Sequence, residues 1–592
     1  MKTTSSEVYK KTIVENFSFL KSAQNIQEVF LRAIPINKVG FLIPLSNAHQ
    51  NDDSLLQKLT DWRNANVHVY PTQFTATLES TRAWLKDRLL GVDDRILFLV
   101  VTNHGEVIGH IGFNSCINDE FLFEIDNVVR GNESKERGIF SQAIVALMEW
   151  ARKTLYVNGF FLRVMDDNDH AINFYKKNGF IEESRIPLVK KDKEGFISYQ
   201  EAKSDELPSK FFVRMSWRPT RVVGKSMILT AGPSMSAKEA VYSYDAALNG
   251  WNSNWSKYLT AFEKKFADYV GVKYAMATSS CTGALQIALM ALDIGPDDEV
   301  IVPDQTWVAT ANAVRYVGAI PVFADVELDT WNIDSNSIEK LVTGRTKAVI
   351  PVHMYGHPAR MSGIVEVANK YGLKIVEDAA PAIGAEWLGK RCGSFGQFGA
   401  FSFQGAKLMV TGEGGMLVTN DDGLYEKALK IGDQGRNPSR TFWIDGHGVK
   451  FKMSNIQAAI GLGQLERVDE LIEMKRRLFS WYRDGLEGCP YITLNQEVDG
   501  ARSIYWMSSL RLDEAAPITR DELMKRLKER NIDTRPVFPA ISQYPIWPRQ
   551  QQPQPTALHI GNHAMNLPSG VCLNREEVDY ICQCIREILT KD

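Results

Sequence analysis

FSFQGAKLMVTGEGG, residues 401–415, is the stretch on which the reading of this chain turns. It places Lys407 after an aromatic–serine–aromatic run and before a glycine-rich turn. Such a turn lets backbone approach a ligand closely. A lysine in a crowded pocket gives up its proton more readily than one in water and becomes a nucleophile. Taken alone, the motif fits a surface lysine beside a hairpin equally well.

Outward from that stretch, strand and helix patterns alternate. KYAMATSS, EVIVP, IPVFADV, KAVIPVHMYG and KIVEDAA are short apolar runs that end in turn residues. TGALQIALMALD and MSGIVEVANKYG, lying between them, carry helical spacing. This order predicts βαβ units and a mostly parallel sheet covered on both faces. Ligands of such sheets sit beyond the C-terminal strand ends, so polar residues there are the candidates. Asp378 follows KIVE; it is either a carboxylate that keeps a ring nitrogen protonated or a cap on the next helix. In TSSCTGAL, Ser279, Ser280, Thr282 and Gly283 precede an apolar helix, whose free N–H groups and positive dipole end suit a phosphate. Many helices begin this way without a ligand. Trp307, after EVIVP, is a ring-stacking aromatic or a core tryptophan.

Composition narrows the function classes. A chain of 592 residues exceeds one ordinary domain. With 44% hydrophobic and 23% charged residues it has the make-up of a globular protein. A net charge of −3 gives no electrostatic case for nucleic acid or an anionic membrane. No apolar run reaches the ~18–20 residues of a membrane span, and MKTTSSEVYKKTIVENFSF lacks a signal-peptide core. The seven cysteines are scattered, and Cys582 and Cys584 stand apart from other ligand types, so no metal site is expected. A reduced, cytoplasmic protein is the expectation. Residues 216–230, through GKSMILTAGPSMS, read as a junction, giving units 1–220 and 221–592.

Together the four parts of the C-terminal unit resemble the DegT/DnrJ/EryC1/StrS group of sugar aminotransferases over roughly residues 230–592. The resemblance runs through NWSKYLTAFEKKFADYVGVKYA, DEVIVPDQTWVATANAV, VIPVHMYGHPA, TGEGGMLVTND, MSNIQAAIGLGQLERVDELI and IDTRPVFP. TWNID, RNPSRTFWI and SIYWM are most like its perosamine-forming members. It implies an aspartate-aminotransferase-type (fold type I) domain with a small C-terminal domain and pyridoxal 5'-phosphate (PLP) as cofactor. The implied reaction moves an amino group from glutamate to the C4 ketone of a nucleotide-linked 4-keto-6-deoxyhexose.

The same resemblance assigns roles. Lys407 joins the cofactor and, once displaced by the amino donor, shuttles a 1,3-proton shift as general base. Asp378 pairs with the pyridinium nitrogen, Trp307 stacks on the ring, and Ser402 with the amides of Thr282 and Gly283 holds the phosphate. Relatives with histidine at the position of Lys407 dehydrate, so lysine implies transamination. Three residues depart from the pattern. Pro381 stands where relatives carry Gln or Glu near the cofactor's phenolic oxygen, and Cys281 replaces a glycine of the phosphate turn. Lys450 stands where an asparagine reaches the phosphate from the partner subunit, which implies a homodimer or larger assembly.

In the N-terminal unit, RILFLVVTNHGEVIGHIGFN reads as two strands around a turn at His104-Gly105, and FEIDNVVR as a third. GNESKERGIFSQAIVALMEWARK is a loop opening an amphipathic helix, and FFLRVMDDNDHAINFYKKNGF is strand, turn and helix. This order resembles the GNAT acetyltransferases from about residue 45 to 215. The resemblance implies a loop around Gly138 that offers N–H groups to the pyrophosphate of acetyl-CoA. It also implies Asn168 as a coenzyme contact and Tyr175 as the acid that protonates the leaving thiolate. Lys135-x-x-Gly138-x-Phe140 departs from the family loop by an aromatic where a small residue is usual. Glu124 or Asp126, on the preceding strand, is a candidate base for the acceptor amine, or a polar residue at a solvated edge. Residues 1–45 carry no usable motif.

The whole implies a bifunctional enzyme that aminates a keto-sugar and then N-acetylates it, for O-antigen, lipopolysaccharide or related glycan. Two alternatives stay open: a catalytically silent N-terminal module, or one with another acyl donor or acceptor. A PLP-binding regulator ranks last, for want of a helix-turn-helix or basic patch.

Overall fold

The computed structural model describes residues 5–132, 136, 138–193, 196–217, 224–547 and 552–590. The chain divides into two units. One comprises Met1–Val222 with Met235–Val241, and the other Val223–Ser234 with Tyr242–Asp592.

In the first unit a ten-stranded sheet runs in the order Ile34–Ile36, Gly40–Pro44, Ile96–Thr102, Val107–Asn114, Leu122–Arg130, Gly159–Met165, Lys210–Trp217, Phe180–Lys193, Phe196–Glu201, Thr72–Gln73. Neighbours are antiparallel except Leu122–Arg130 with Gly159–Met165. A parallel pair needs a crossover, and the helix Ile139–Thr154 supplies it. Its apolar stripe, including Ile144, Leu147, Met148 and Ala151, is buried. The parallel pairing covers Leu122–Glu124 against Gly159–Phe161, after which the strands part. Residues 1–45, silent as sequence, contribute a helix, Ser5–Lys21, which buries Val8, Tyr9, Ile13, Phe17 and Leu20 at helical spacing.

In the second unit seven strands order as Tyr274–Thr278, Gly415–Thr419, Phe398–Ser402, Lys374–Asp378, Thr346–Val349, Glu299–Pro303, Ile320–Ala324. All pairs are parallel except those of Gly415–Thr419, which runs antiparallel to both neighbours. The expected mostly parallel sheet is therefore present, with one reversal. The helix Cys281–Ala291 is apolar on all sides and almost wholly buried. A smaller sheet, Ile492–Leu494, Ser509–Leu512, Ala564–Asn566 and Arg535–Pro536, forms the small C-terminal domain. It shares a core with the helices Val468–Leu486, Arg520–Glu529 and Arg575–Thr590. Cys582 and Cys584 are buried free thiols in that core. Among the described residues no helix is long and apolar enough to cross a membrane.

The central strand Lys374–Asp378 ends in two buried carboxylates. Glu377 is fully buried and accepts from the amides of Gly393 (2.7 Å), Phe395 (2.6 Å) and Gly396 (2.9 Å). His353 Nδ1 accepts from the Ala359 amide at 3.0 Å, which leaves Nε2–H to donate to Glu377 Oε2 at 3.1 Å. One carboxylate thus ties a loop and a second strand end to the sheet. Glu377→Ala strands those donors in the interior and is expected to destabilise the C-terminal unit by about 3 kcal/mol or more. Urea unfolding followed by tryptophan fluorescence checks this, with Glu377→Gln expected to lose less.

Candidate active sites

Lys407 sits on a backbone loop closed by its neighbours. Phe403 N–H donates to Gly414 O (2.9 Å), Thr411 N–H to Phe403 O (2.8 Å) and Gly405 N–H to Gly412 O (3.0 Å). The loop reverses the chain between Phe398–Ser402 and Gly415–Thr419, so the antiparallel strand and the placement of Lys407 have one cause. Of the glycines of this turn, Gly415 has a packing role. A Cβ on Gly415 would stand 2.5 Å from the Cys281 amide, so this glycine lets the hairpin press against the Ser280–Cys281 turn. The Lys407 Nζ lies 3.8 Å from the centroid of the Trp506 ring, and the Trp506 indole N–H donates to Ala406 O at 2.8 Å. No carboxylate forms an ion pair with Lys407 among the described residues. Burial holds its amine down to about 8, with Asp378 and Cys281 opposing. Roughly a tenth is therefore neutral, hence nucleophilic, at pH 7, far more than for a lysine with the ordinary value of about 10.4.

Asp378 is 5% exposed, and its carboxylate meets only neutral donors. Thr310 Oγ1 donates to Oδ2 at 2.8 Å, and the Ala380 amide donates to Oδ1 at 3.2 Å. The Cys281 thiol points at Oδ1 from 3.9 Å. Burial pushes the Asp378 carboxyl up, against the pull of these donors, of Lys407 and of His353. Thr310 and Trp506 escaped the sequence reading, although TWVAT and SIYWM contain them; nothing in either string says that its residues converge. The alternative of a helix cap does not describe Asp378, which ends a strand at the sheet's centre.

At the start of the helix Cys281–Ala291, Ser280 is the N-cap and its Oγ accepts from the Gly283 amide at 3.0 Å. That corrects the expectation of a free Gly283 amide: the helix caps itself there. The missing side chain of Gly283 instead admits Phe451, whose ring carbon would lie 2.9 Å from a Cβ. Thr282 remains half-buried at the helix end. Ser402 is buried, with Oγ 3.4 Å from the Gln404 amide. Trp307 is 56% exposed, its ring tilted against Phe538 at 5.5 Å, so it is not a core tryptophan. Lys450 is largely exposed and pairs with Asp433 at 3.1 Å, where Lys452 also pairs at 2.9 Å.

These residues fit PLP. A buried carboxylate with no cation paired to it accommodates a pyridinium N–H. A half-buried lysine with a depressed pKa stands in the same neighbourhood, and an exposed indole is open to a ring. Ser402, Thr282 and the helix dipole offer the phosphate end, without Gly283.

In the first unit Glu124 is 5% exposed and not at a solvated edge. Arg163 grips it by Nε–Oε1 at 2.7 Å and Nη2–Oε2 at 3.1 Å. Burial raises the Glu124 carboxyl and Arg163 opposes it. Asp126 Oδ2 accepts from Arg95 at 2.9 Å. Both carboxylates line a cavity of about 650 Å³. Tyr175 is buried, its ring edge-on to Phe180, and burial raises its hydroxyl with Asp126 adding to the effect. Asn168 caps the helix Asp169–Lys177, its Oδ1 accepting from the Ala171 amide at 3.1 Å, so that oxygen is committed locally. Gly138 takes the left-handed conformation, φ 77°, at the head of Ile139–Thr154, which favours glycine. Phe140 is turned to the sheet, where it fills the space beside Gly109, whose Cβ would meet it at 2.6 Å. The aromatic that departs from the family loop is thus spent on packing. Lys135 lies outside the described residues.

Comparison with known proteins follows this division. The DegT/DnrJ/EryC1/StrS aminotransferase family matches residues 233–586, and the acetyltransferase (GNAT) domain matches residues 43–181. The GDP-perosamine synthase of Caulobacter vibrioides is 40% identical over 369 residues, covering 61% of this chain and 98% of the relative. That of Escherichia coli O157:H7 is 41% identical over 355 residues, covering 60% and 96%. A putative pyridoxal phosphate-dependent aminotransferase, EpsN of Bacillus subtilis, is 36% identical over 326 residues, covering 54% and 84%. Among solved structures, S. venezuelae DesV in complex with ketimine intermediate superposes with a TM-score of 0.57 at 32% identity, covering 60% of this chain and 95% of that one. The chain belongs to the DegT/DnrJ/EryC1/StrS aminotransferase family and carries a GNAT domain at its N-terminus.

Proposed function

We propose that the chain transfers the amino group of glutamate to a nucleotide-linked 4-keto-6-deoxyhexose and then N-acetylates the amino sugar from acetyl-CoA, for O-antigen, lipopolysaccharide or related glycan. The observation that carries the first half is the pairing of Lys407, held to about 8 by burial, with the buried, cation-free Asp378. PLP, when bound, supplies the electron sink for cleaving a bond at the donor's α-carbon. The chain's residues do the rest. Asp378, short of a cation, holds a proton on the ring nitrogen. Lys407 Nζ, freed by the donor, takes a proton from one carbon and returns it to another, a role suited to an amine titrating near working pH. Trp307 offers an open indole face on which a ring can stack. Trp506 beneath the ammonium limits where Lys407 can swing. Lys450, exposed on this chain, is the residue a second copy would receive at its phosphate end, making a homodimer or larger assembly the working form.

The second half rests on the GNAT match and on the parting of Leu122–Arg130 from Gly159–Met165, which leaves backbone edges for an extended coenzyme. The neutral amine attacks the thioester carbonyl, the C–S bond breaks, and the thiolate takes a proton from Tyr175, whose raised pKa keeps the hydroxyl protonated. Glu124 receives the amine's proton, with Arg163 fixing its orientation.

Mass spectrometry of reactions containing PLP, glutamate and GDP-, dTDP- or UDP-linked keto-sugars, with and without acetyl-CoA, tests both halves. One sugar should gain an amine, and an acetyl group only with acetyl-CoA present. Lys407→Ala should lower amination at least ~10³-fold while acetylation of the pre-formed amine persists. Tyr175→Phe should do the converse, slowing acetyl transfer by ~10²-fold and sparing amination. The rate at which PLP-free protein takes up PLP covalently should rise with pH through a midpoint near 8, because Lys407 is protonated below it and neutral above it. A midpoint above about 10, the ordinary lysine range, read by absorbance after rapid mixing, would mean that the lysine is not held down by its surroundings.

A further inference from the structure

The cavity of about 650 Å³ in the N-terminal unit has an unbalanced wall. Arg63, Arg88, Arg95 and Arg163 line it, against two carboxylates, Glu124 and Asp126. Both carboxylates are already taken: Arg163 holds Glu124 by two hydrogen bonds and Arg95 holds Asp126. Neither Arg63 nor Arg88 has an ion-pair partner among the described residues. Arg63 is half-buried and preset. Its Nη2 donates to Thr72 O at 2.5 Å, and its guanidinium lies 3.5 Å from the Tyr70 ring centroid. Burial disfavours its charge; the Tyr70 hydroxyl offsets this in part, and no carboxylate does. Trp84 and Phe74 add aromatic surface to the same wall. No residue of the helices Ile139–Thr154 and Asp169–Lys177, where the coenzyme is expected, lines the cavity.

We propose that this cavity is the acceptor site and that Arg63 and Arg88 grip a phosphate or diphosphate carried by the acceptor amine. The proposal rests on the reading of the N-terminal unit as an acetyltransferase. Guanidinium groups match phosphate oxygens in planar, two-pronged fashion, and a fixed guanidinium loses little entropy on binding. A cavity of this size holds a sugar with its phosphates, and the aromatic wall suits a sugar face or a base. The unit then selects a nucleotide-activated or phosphorylated amino sugar over the free amine.

The test uses the full chain with acetyl-CoA and three acceptors: GDP-perosamine, perosamine 1-phosphate and perosamine. Wild-type kcat/KM should favour the phosphate-bearing amines over perosamine by about tenfold or more, and Arg63→Gln with Arg88→Gln should bring that ratio close to one. Because a ratio is read, partial misfolding of the variant does not mimic the result. Equal use of the two phosphate-bearing acceptors assigns the arginines to one phosphate, and preference for GDP-perosamine assigns them to the diphosphate. A ratio that the substitutions leave unchanged, or a wild type that prefers free perosamine, overturns the proposal. Should the wild type acetylate none of the three, the acetyltransferase reading falls, and hydrogen–deuterium exchange over residues 59–90 decides the arginine site alone. Slower exchange with GDP-perosamine in wild type but not in the double variant upholds it, and no protection in wild type overturns it.

Discussion

Adjacent residues of a strand face opposite sides of its sheet, and in the strand Lys374–Asp378 that alternation separates two buried carboxylates. Burying a charge is costly unless it is hydrogen-bonded and paired. Glu377 is satisfied by three amides and a histidine whose tautomer is fixed by the Ala359 amide. Asp378 receives only neutral donors, from Thr310, Ala380 and the Cys281 thiol. The first carboxylate is spent on the fold, and the second is left needing a cation. Rigid anchoring of Glu377 is what keeps Asp378, one residue on, fixed against whatever occupies the site.

The same economy of position governs Lys407. Its hairpin is pressed onto the Ser280–Cys281 turn because Gly415 has no side chain, and the Cys281 thiol in turn meets Asp378, so the three belong to one packed unit. Trp506 lies against the ammonium and is itself held from behind. Lys475, buried, donates from Nζ to Trp506 O at 2.8 Å and also to Ser569 O. Burial lowers this second lysine to about 7, so it holds the Trp506 backbone without placing a full buried charge beside the first. Two lysines with depressed pKa values therefore meet one tryptophan, Lys407 at its ring as candidate nucleophile and Lys475 at its carbonyl as a support.

The strand–helix alternation from KYAMATSS to KIVEDAA was legible because each apolar run is short and ends in turn residues, and each became a strand of the expected parallel sheet. Asp378 was legible as a candidate because it ends an apolar strand, and Lys407 because an aromatic–serine–aromatic run and a glycine-rich turn flank it. What the string conceals is convergence. Trp506 is about a hundred residues from Lys407 along the chain, and no local pattern links them. Gly283 misled because a glycine at a helix start offers an amide in principle, while Ser280, three residues earlier, takes that amide as a cap. Phe140, a departure from the loop pattern with no reason in the string, finds its place only through Gly109, on another strand. The helix Ser5–Lys21 carried no motif; its buried face packs on the unit, and Tyr9 and Lys21 donate to the Cys116 and Val92 carbonyls.

The two units present opposite electrostatic needs. The aminotransferase site holds a carboxylate short of a cation, and the N-terminal cavity holds a half-buried arginine, Arg63, short of an anion, with the exposed Arg88 beside it. In each, no carboxylate or cation among the described residues is ion-paired with that group; PLP would bring a pyridinium to the first, and the proposed acceptor a phosphate to the second. Such sites are destabilising when empty, since a buried charge without its partner costs free energy that neighbouring dipoles only partly return. That cost is what makes them discriminate: a ligand lacking the complementary charge leaves the penalty in place, and one carrying it removes the penalty on binding. A free amino sugar, which carries no anion, would therefore gain least from the arginine wall. The amine still attached to its phosphates, as an aminotransferase acting on a nucleotide-linked sugar releases it, would gain most.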